Sequence, residues 1–274
     1  MRLHEYFRRI GHDGAAAADL STFRAVHRAH ALTLVYENLD VQLGVPVTRN
    51  ADAAFDKIVR RGRGGWCYEM NGLLGAALRE IGFEVTFLAG GVMRDQRGDE
   101  VVGNHLVLLV RIDGEDWIGD VGFGDGLIDP APLREGPVAI GPLTANLHAI
   151  GGGWWRYIND LRSGGPSFDF NPAVTDEALL ERNCRILQSD PASPFVQNAV
   201  VQRWKDGAHL SMRGRILRTL TAGDDVRIQI DSADHYVSVL NSEFGIDFSD
   251  ASRLWPRICA RHDEIFKDGE PPPP

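Results

Sequence analysis

Cysteine is scarce in this chain of 274 residues: Cys67, Cys184 and Cys259 are the only three, and no two form a C-x-x-C pair. An odd number at such spacing makes no disulfide framework and fits a reducing compartment. No zinc-ligand spacing of His and Cys is present, so no metal is expected. Long apolar runs are missing too, and the Met1–Arg9 segment lacks an apolar signal core. The chain is therefore expected to stay in the cytoplasm, with no membrane partner. Positive charge is the minority sign: 29 Lys and Arg stand against 38 Asp and Glu, a formal net charge of −9. A surface of that sign argues against nucleic acid as a partner.

What is present suits a globular protein. Hydrophobic residues make up 43% and charged residues 24%, and the length exceeds one compact core. The first third reads as helical. After Leu20-Ser21, Phe23, Val26 and Leu32 are assigned to one face, with Ser21 or Thr22 as cap, and a second helix follows Asn50 with Ala54, Phe55, Ile58 and Val59 facing inward. Beyond Gly82 the period turns to β: Val85–Leu88, Leu106–Val110, Trp117–Val121, then a strand after the Gly151-Gly152-Gly153 turn. The last third mixes strands at Phe195–Trp204, His209–Arg213 and Val226–Ile230 with helices after Asp234 and Ser249. The expected organisation is an α+β fold: a helical bundle over 1–83, a β-barrel over 84–188, an α/β lid over 189–268 and a disordered proline tail over 269–274.

Cys67 is the residue most loaded with chemistry. It stands in Arg63-Gly64-Gly65-Trp66-Cys67-Tyr68-Glu69-Met70-Asn71, and downstream Met70, Leu73, Leu74, Ala77, Leu78 and Ile81 mark one helical face closed by Gly82. The cysteine thus falls at a helix N-terminus, where free N–H groups and the macrodipole favour a thiolate. The glycine pair before it permits close backbone approach or positive φ. Arg60, Arg61 and Arg63 just upstream are either a solvated helix end or a basic knot for an anionic cofactor.

A partner base follows from strand register. Asp113-Gly114 between two β-type runs predicts a two-residue hairpin turn. If Ile112 pairs with Glu115, His105 lies opposite Gly122, with Asp120 as its same-face diagonal neighbour at roughly 7–8 Å. A carboxylate at that place orients the imidazole, whose other nitrogen takes a thiol proton, as in a Cys-His-Asp triad. The glycine-rich run Gly122–Gly126 that follows has no Gly-Lys-Ser/Thr sequel and is no Walker loop. Cys184 and Cys259 read as core, and His27 and His30 as structural.

With these residues placed, the chain resembles the arylamine N-acetyltransferases from Tyr6 to about Phe266. The Arg63–Asn71 run is similar to the family's Arg-Gly-Gly-aromatic-Cys-aromatic-Glu-x-Asn, and Tyr36-Glu37-Asn38-Leu39-Asp40, His105-Leu106 and Asp120-Val121-Gly122-Phe123-Gly124 match as well. Tyr36, where many relatives have phenylalanine, and Asn104, where threonine or serine is common, depart from the pattern. The resemblance implies a cysteine-protease-like core of helical bundle, barrel and lid, with Cys67, His105 and Asp120 as catalytic residues and the Tyr68 N–H in the oxyanion hole. It further implies Tyr36, Val92 and Phe123 on the acceptor side and Gly124 and Gly126 near coenzyme A. The implied reaction is acetyl transfer from acetyl-CoA to arylamines, arylhydrazines or N-hydroxyarylamines through an acetyl-cysteine, by a monomer or homodimer. Two other readings use the same residues: a cysteine hydrolase or transglutaminase-like amidase, and a non-catalytic binder of small aromatic molecules.

Overall fold

The computed structural model describes residues 2–14, 16–163 and 167–265; the expected proline tail lies outside them. The chain opens with α1 (Leu3–Ile10), ahead of the first helix expected; its Leu3, Tyr6, Phe7 and Ile10 stand at helical spacing, and Tyr6 and Ile10 are buried. In α2 (Leu20–Thr33) the cap is Asp19, whose carboxylate accepts the Thr22 N–H at 2.7 Å, rather than Ser21 or Thr22. Phe23 and Val26 enter the helical core, but Leu32 packs against the barrel. Nine residues at about 100° each carry Leu32 to the side opposite Phe23, so the shared face assigned to them does not exist.

After β1 (Tyr36–Glu37) and the short α3 (Leu39–Gln42), α4 (Ala51–Phe55) starts where expected, with the Asn50 side chain accepting two N–H groups. It widens into a π turn at Asp56–Arg60 and delivers the chain to α5 (Cys67–Ile81). Leu73, Leu74, Ala77 and Leu78 of α5 are fully buried beside Tyr6, Phe23 and Val26. Each leucine contributes about 1.5–3 kcal/mol by leaving water.

The middle of the chain runs β2 (Glu84–Val92), α6 (Arg94–Arg97), β3 (His105–Ile112), β4 (Glu115–Gly119), β5 (Ala131–Pro132), β6 (Gly136–Ile140), β7 (Leu143–Gly151), β8 (Trp154–Ile158) and β9 (Ser167–Phe170). These strands form a nearly closed antiparallel barrel in the order β5-β4-β3-β2-β9-β8-β7-β6. The predicted hairpin holds: Asp113 and Gly114 have φ of 52° and 83°, and Ile112 pairs with Glu115. The β3–β4 ladder stops at Leu108 and Gly119, so Gly122 does not reach the place opposite His105.

The last third contains α7 (Glu177–Ser189), α8 (Pro194–Gln197), β10 (Val200–Lys205), β11 (Ala208–Arg213), β12 (Ile216–Leu220), β13 (Asp225–Gln229), α9 (Ala233–Ser242) and α10 (Trp255–Ile265). The strand expected from Phe195 begins only at Val200, because Ser193 caps a helical turn that Pro194 opens. The second sheet, β1-β10-β11-β12-β13, includes β1 from the first third, and its Tyr36 also bridges to Gly65 in front of the cysteine. Among the described residues no helix is long and apolar enough to cross a membrane.

A buried charge network lies under the start of α5. Lys57 Nζ is 2.9 Å from Glu69 and 3.2 Å from Asp40, and Arg63 is 2.8 Å from Glu37 and 3.1 Å from Asp40. Arg63 is thus a structural cation, not part of an anion site, while Arg60 and Arg61 pair at the surface with Glu5 and Asp56. Burial pushes the Glu69 carboxyl up to about 7 against the pull of Lys57. Burial also keeps histidines neutral: His27 is pushed down to about 4, His209 to about 3, and His30 well below its ordinary range.

These groups set the response to acid. As the pH falls from 6.5, the unfolded chain protonates three histidines that burial keeps neutral in the folded chain, against one carboxyl, Glu69, that takes its proton earlier in the folded chain. The unfolded state therefore binds more protons, and stability is lost between about pH 6.5 and 4.5. The thermal midpoint is expected to fall by at least about 3 °C from pH 6.5 to 5. A flat or rising midpoint in calorimetry would contradict the neutral assignment.

Candidate active site

Cys67 is presented by a loop locked against β1. Gly65 donates to the Val35 carbonyl at 3.1 Å and Glu37 donates back to Gly65 at 3.0 Å. A β-carbon at Gly64 would stand 2.0 Å from the Val35 oxygen. Close approach, not positive φ, is what demands glycine there. The Glu69 carboxylate accepts the Trp66 N–H at 3.3 Å, closing the first turn of α5 over the cysteine.

The thiol is 2% exposed. It meets the backbone N–H groups of Leu106 and Tyr68, and so lies against the peptide that joins His105 to Leu106. Burial nevertheless pushes the thiol well up; the two N–H groups pull it down, and the Asp120 charge adds to the rise. The lowering expected from the helix N-terminus is therefore outweighed, and the partner base expected beside it gains weight. Loss of thiolate hydration outweighs the partial charge of the helix, and ionisation needs a base to take the proton.

The candidate base belongs to the peptide that the sulfur meets. His105 Nε2 and Asp120 Oδ2 are 2.7 Å apart, both residues buried. The other Asp120 oxygen accepts the Asn71 side-chain N–H at 2.7 Å and the Gly122 N–H at 2.8 Å. The latter bond turns the chain inward after β4, and this is why the ladder ends there. Gly122 instead lies on α5: a β-carbon on it would come within 2.7 Å of Cys67 Cα. The histidine–carboxylate contact expected from the hairpin is present, although a turn instead of a continued strand makes it.

An apolar shell surrounds the imidazole. Phe123 stands edge-on to it at 5.5 Å and Phe168 tilts at 4.9 Å, with Tyr157 stacked on Phe168. Val92 belongs to the same cluster, its N–H held by the Asn104 side chain at 2.8 Å. Tyr36 instead shares the cluster of Cys67, Trp66 and Tyr68. Gly124 adopts φ of 84° under the Gln202 side chain, and Gly126 follows beside Phe123. The space between Tyr36, Asp120, Gly124 and Gly126 is only about 10 Å³. His209 donates to the Gly124 carbonyl from the lid side. Cys184 is buried as expected, but Cys259 is half-buried on α10, not core.

Sequence reasoning left Asn71 and Phe168 without a role. Phe168 carries no local signal, since only barrel closure brings β9 to β2. Asn71 was legible: four residues after Cys67, it falls one helical turn away on the same face. Its side chain donates to the Leu106 carbonyl at 2.5 Å and to Asp120, and accepts the Val121 N–H at 2.8 Å. Asn71→Ala is expected to cost about 2–4 kcal/mol in urea unfolding, because three buried groups lose their partner. A cost below about 1 kcal/mol would mean that water replaces the amide.

Comparison with known proteins agrees with this geometry. A family model described as N-acetyltransferase matches residues 19–253. The arylamine N-acetyltransferase of Mycolicibacterium smegmatis is 36% identical over 266 residues, covering 91% of this chain and 94% of the relative. That of Mycobacterium tuberculosis H37Rv is 31% identical over 265 residues, covering 90% of each. Among solved structures, Mycobacterium marinum arylamine N-acetyltransferase superposes with a TM-score of 0.85 at 31% identity, over 96% of this chain and 99% of that one. The same protein solved in complex with CoA gives 0.84. With matching fold and near-complete coverage on both sides, the chain belongs to the arylamine N-acetyltransferase family.

Proposed function

We propose that the chain transfers an acetyl group from acetyl-CoA to arylamines, arylhydrazines or N-hydroxyarylamines by a ping-pong reaction through acetyl-Cys67, in the cytoplasm. The observation that carries this reading is the buried His105–Asp120 pair beside a cysteine whose sulfur lies against the peptide after that histidine. All three side chains come from one chain, so the chemistry needs no second subunit.

With Nε2 occupied by Asp120, the Nδ1 of His105 is the nitrogen left to exchange a proton with sulfur. In the first half-reaction the Cys67 proton moves to this nitrogen, and the sulfur attacks the thioester carbonyl carbon. The new S–C bond forms as the carbonyl electrons move to oxygen. The backbone N–H of Tyr68 stabilises that oxyanion; its place at the resting sulfur supports the role. The tetrahedral species collapses, the bond to the coenzyme sulfur breaks, and that sulfur leaves with the imidazolium proton. In the second half-reaction the amine nitrogen attacks acetyl-Cys67 and gives its proton to His105. Cleavage of the cysteine S–C bond returns this proton to sulfur. Asp120 holds the ring and stabilises its charged form throughout.

A buried thiol suits this cycle. It is inert until the imidazole accepts its proton, and the apolar shell of Phe123 and Phe168 keeps water from the acyl-enzyme. Tyr36, Val92 and Phe123 are assigned to the acceptor side, and Gly124 and Gly126 to the coenzyme side.

Incubation with acetyl-CoA alone is expected to add one acetyl group to Cys67, detected by peptide mass spectrometry, and an arylamine is expected to remove it. Cys67→Ala abolishes the adduct, and His105→Ala slows its formation by at least about 100-fold, the usual weight of a general base. Cleavage of peptide amides without thioester turnover would replace this reading with an amidase.

A further inference from the structure

His27 is unused by the chemistry above, yet it touches the backbone of a residue in it. It projects from the middle of α2, fully buried. Its Nε2 is 3.0 Å from the Asp120 N–H, and its Nδ1 is 2.9 Å from the Ile128 carbonyl oxygen. The two contacts fix the tautomer. The Ile128 carbonyl can only accept, so Nδ1 carries the hydrogen, and the Asp120 N–H can only donate, so Nε2 offers its lone pair. The ring must be neutral to serve both. A second proton would set two N–H groups against each other at Asp120, and burial keeps that proton away.

The two partners are eight residues apart in the chain and bound one loop. Between them lie Gly122, which rests on Cys67, as well as Phe123, which stands against the His105 ring, Gly124 and Gly126. The Asp120 carboxylate is held from α5 by Asn71, but its backbone N–H at the end of β4 has His27 as its partner. Rotation of that peptide would swing the carboxylate away from His105 Nε2.

We propose that His27 is a positioning residue of the acetyl-transfer site: a neutral imidazole that pins both ends of the Asp120–Ile128 loop and so sets the aim of the Asp120 carboxylate at His105. This inference rests on the reading of Cys67, His105 and Asp120 given above. It concerns the helix α2, which contributes no group to the reaction itself.

Two amide substitutions separate the bonds. In His27→Gln the Oε1 can occupy the place of Nε2 and accept the Asp120 N–H. In His27→Asn the Nδ2 can occupy the place of Nδ1 and donate to Ile128, but nothing reaches Asp120. The measurements are the single-turnover rate of Cys67 acetylation by acetyl-CoA and the pH profile of Cys67 alkylation by iodoacetamide, with cooperative unfolding confirmed for each variant. His27→Gln is expected to stay within about threefold of the parent rate, and His27→Asn to fall about tenfold, the kinetic equivalent of one lost buried hydrogen bond. The alkylation profile of His27→Asn should also move up by about one pH unit, which a merely structural defect would not cause.

Equal rates and unmoved alkylation profiles in the two folded variants would overturn the proposal, whether both match the parent or both are slowed. If His27→Asn does not fold, His27→Gln still decides: a tenfold loss or a moved profile there overturns it, and parent-like behaviour supports it. Should the parent itself take no acetyl group from acetyl-CoA, the reaction assigned above fails, while the alkylation profiles continue to test the aim of Asp120 separately.

Discussion

The structure depends on satisfying a carboxylate that has been taken out of water. Asp120 is 1% exposed, and an ionised side chain there is tolerable only if its oxygens are filled. One oxygen takes the imidazole; the other takes an amide from α5 and a backbone N–H from its own turn. These contacts come from α5, β3 and the loop after β4. Helical bundle and barrel are therefore joined through the acid itself, and displacement of either element leaves a charge without partners.

The same logic operates one layer below. Glu37, Asp40 and Glu69 surround Lys57 and Arg63, three acids against two bases, beneath the first turn of α5. Arg63 and Glu69 flank Cys67 in sequence, so the motif that presents the cysteine also supplies the charges that anchor its loop. Removal of one member would strand the others without compensation, whereas the assembled group fixes one geometry. Trp66 and Tyr68 fill the space on the remaining side.

Cysteine reactivity here is a property of the assembly. A helix N-terminus is often enough to lower a thiol, but at Cys67 dehydration overrides it. The sulfur is buried, and in the proposed reaction its ionisation is coupled to an imidazole that Asp120 orients. This arrangement suits the proposed acetyl-cysteine, which would have to outlast contact with water.

Local signals in the chain were enough to place the cysteine on a helix terminus, to mark the Asp113-Gly114 hairpin and to bring His105 near Asp120, because period, capping and turn chemistry act over a few residues. The order of helical, β and mixed segments was legible for the same reason. Tertiary structure decided the rest. It turned Leu32 to the far side of α2, sent Gly122 onto α5 instead of along the ladder, raised the thiol instead of lowering it, and brought Phe168 and His27 to the site. Each of these outcomes depends on burial or on contacts between segments far apart in sequence, and neither is encoded in spacing. Dehydration and long-range packing are fixed only when the elements meet.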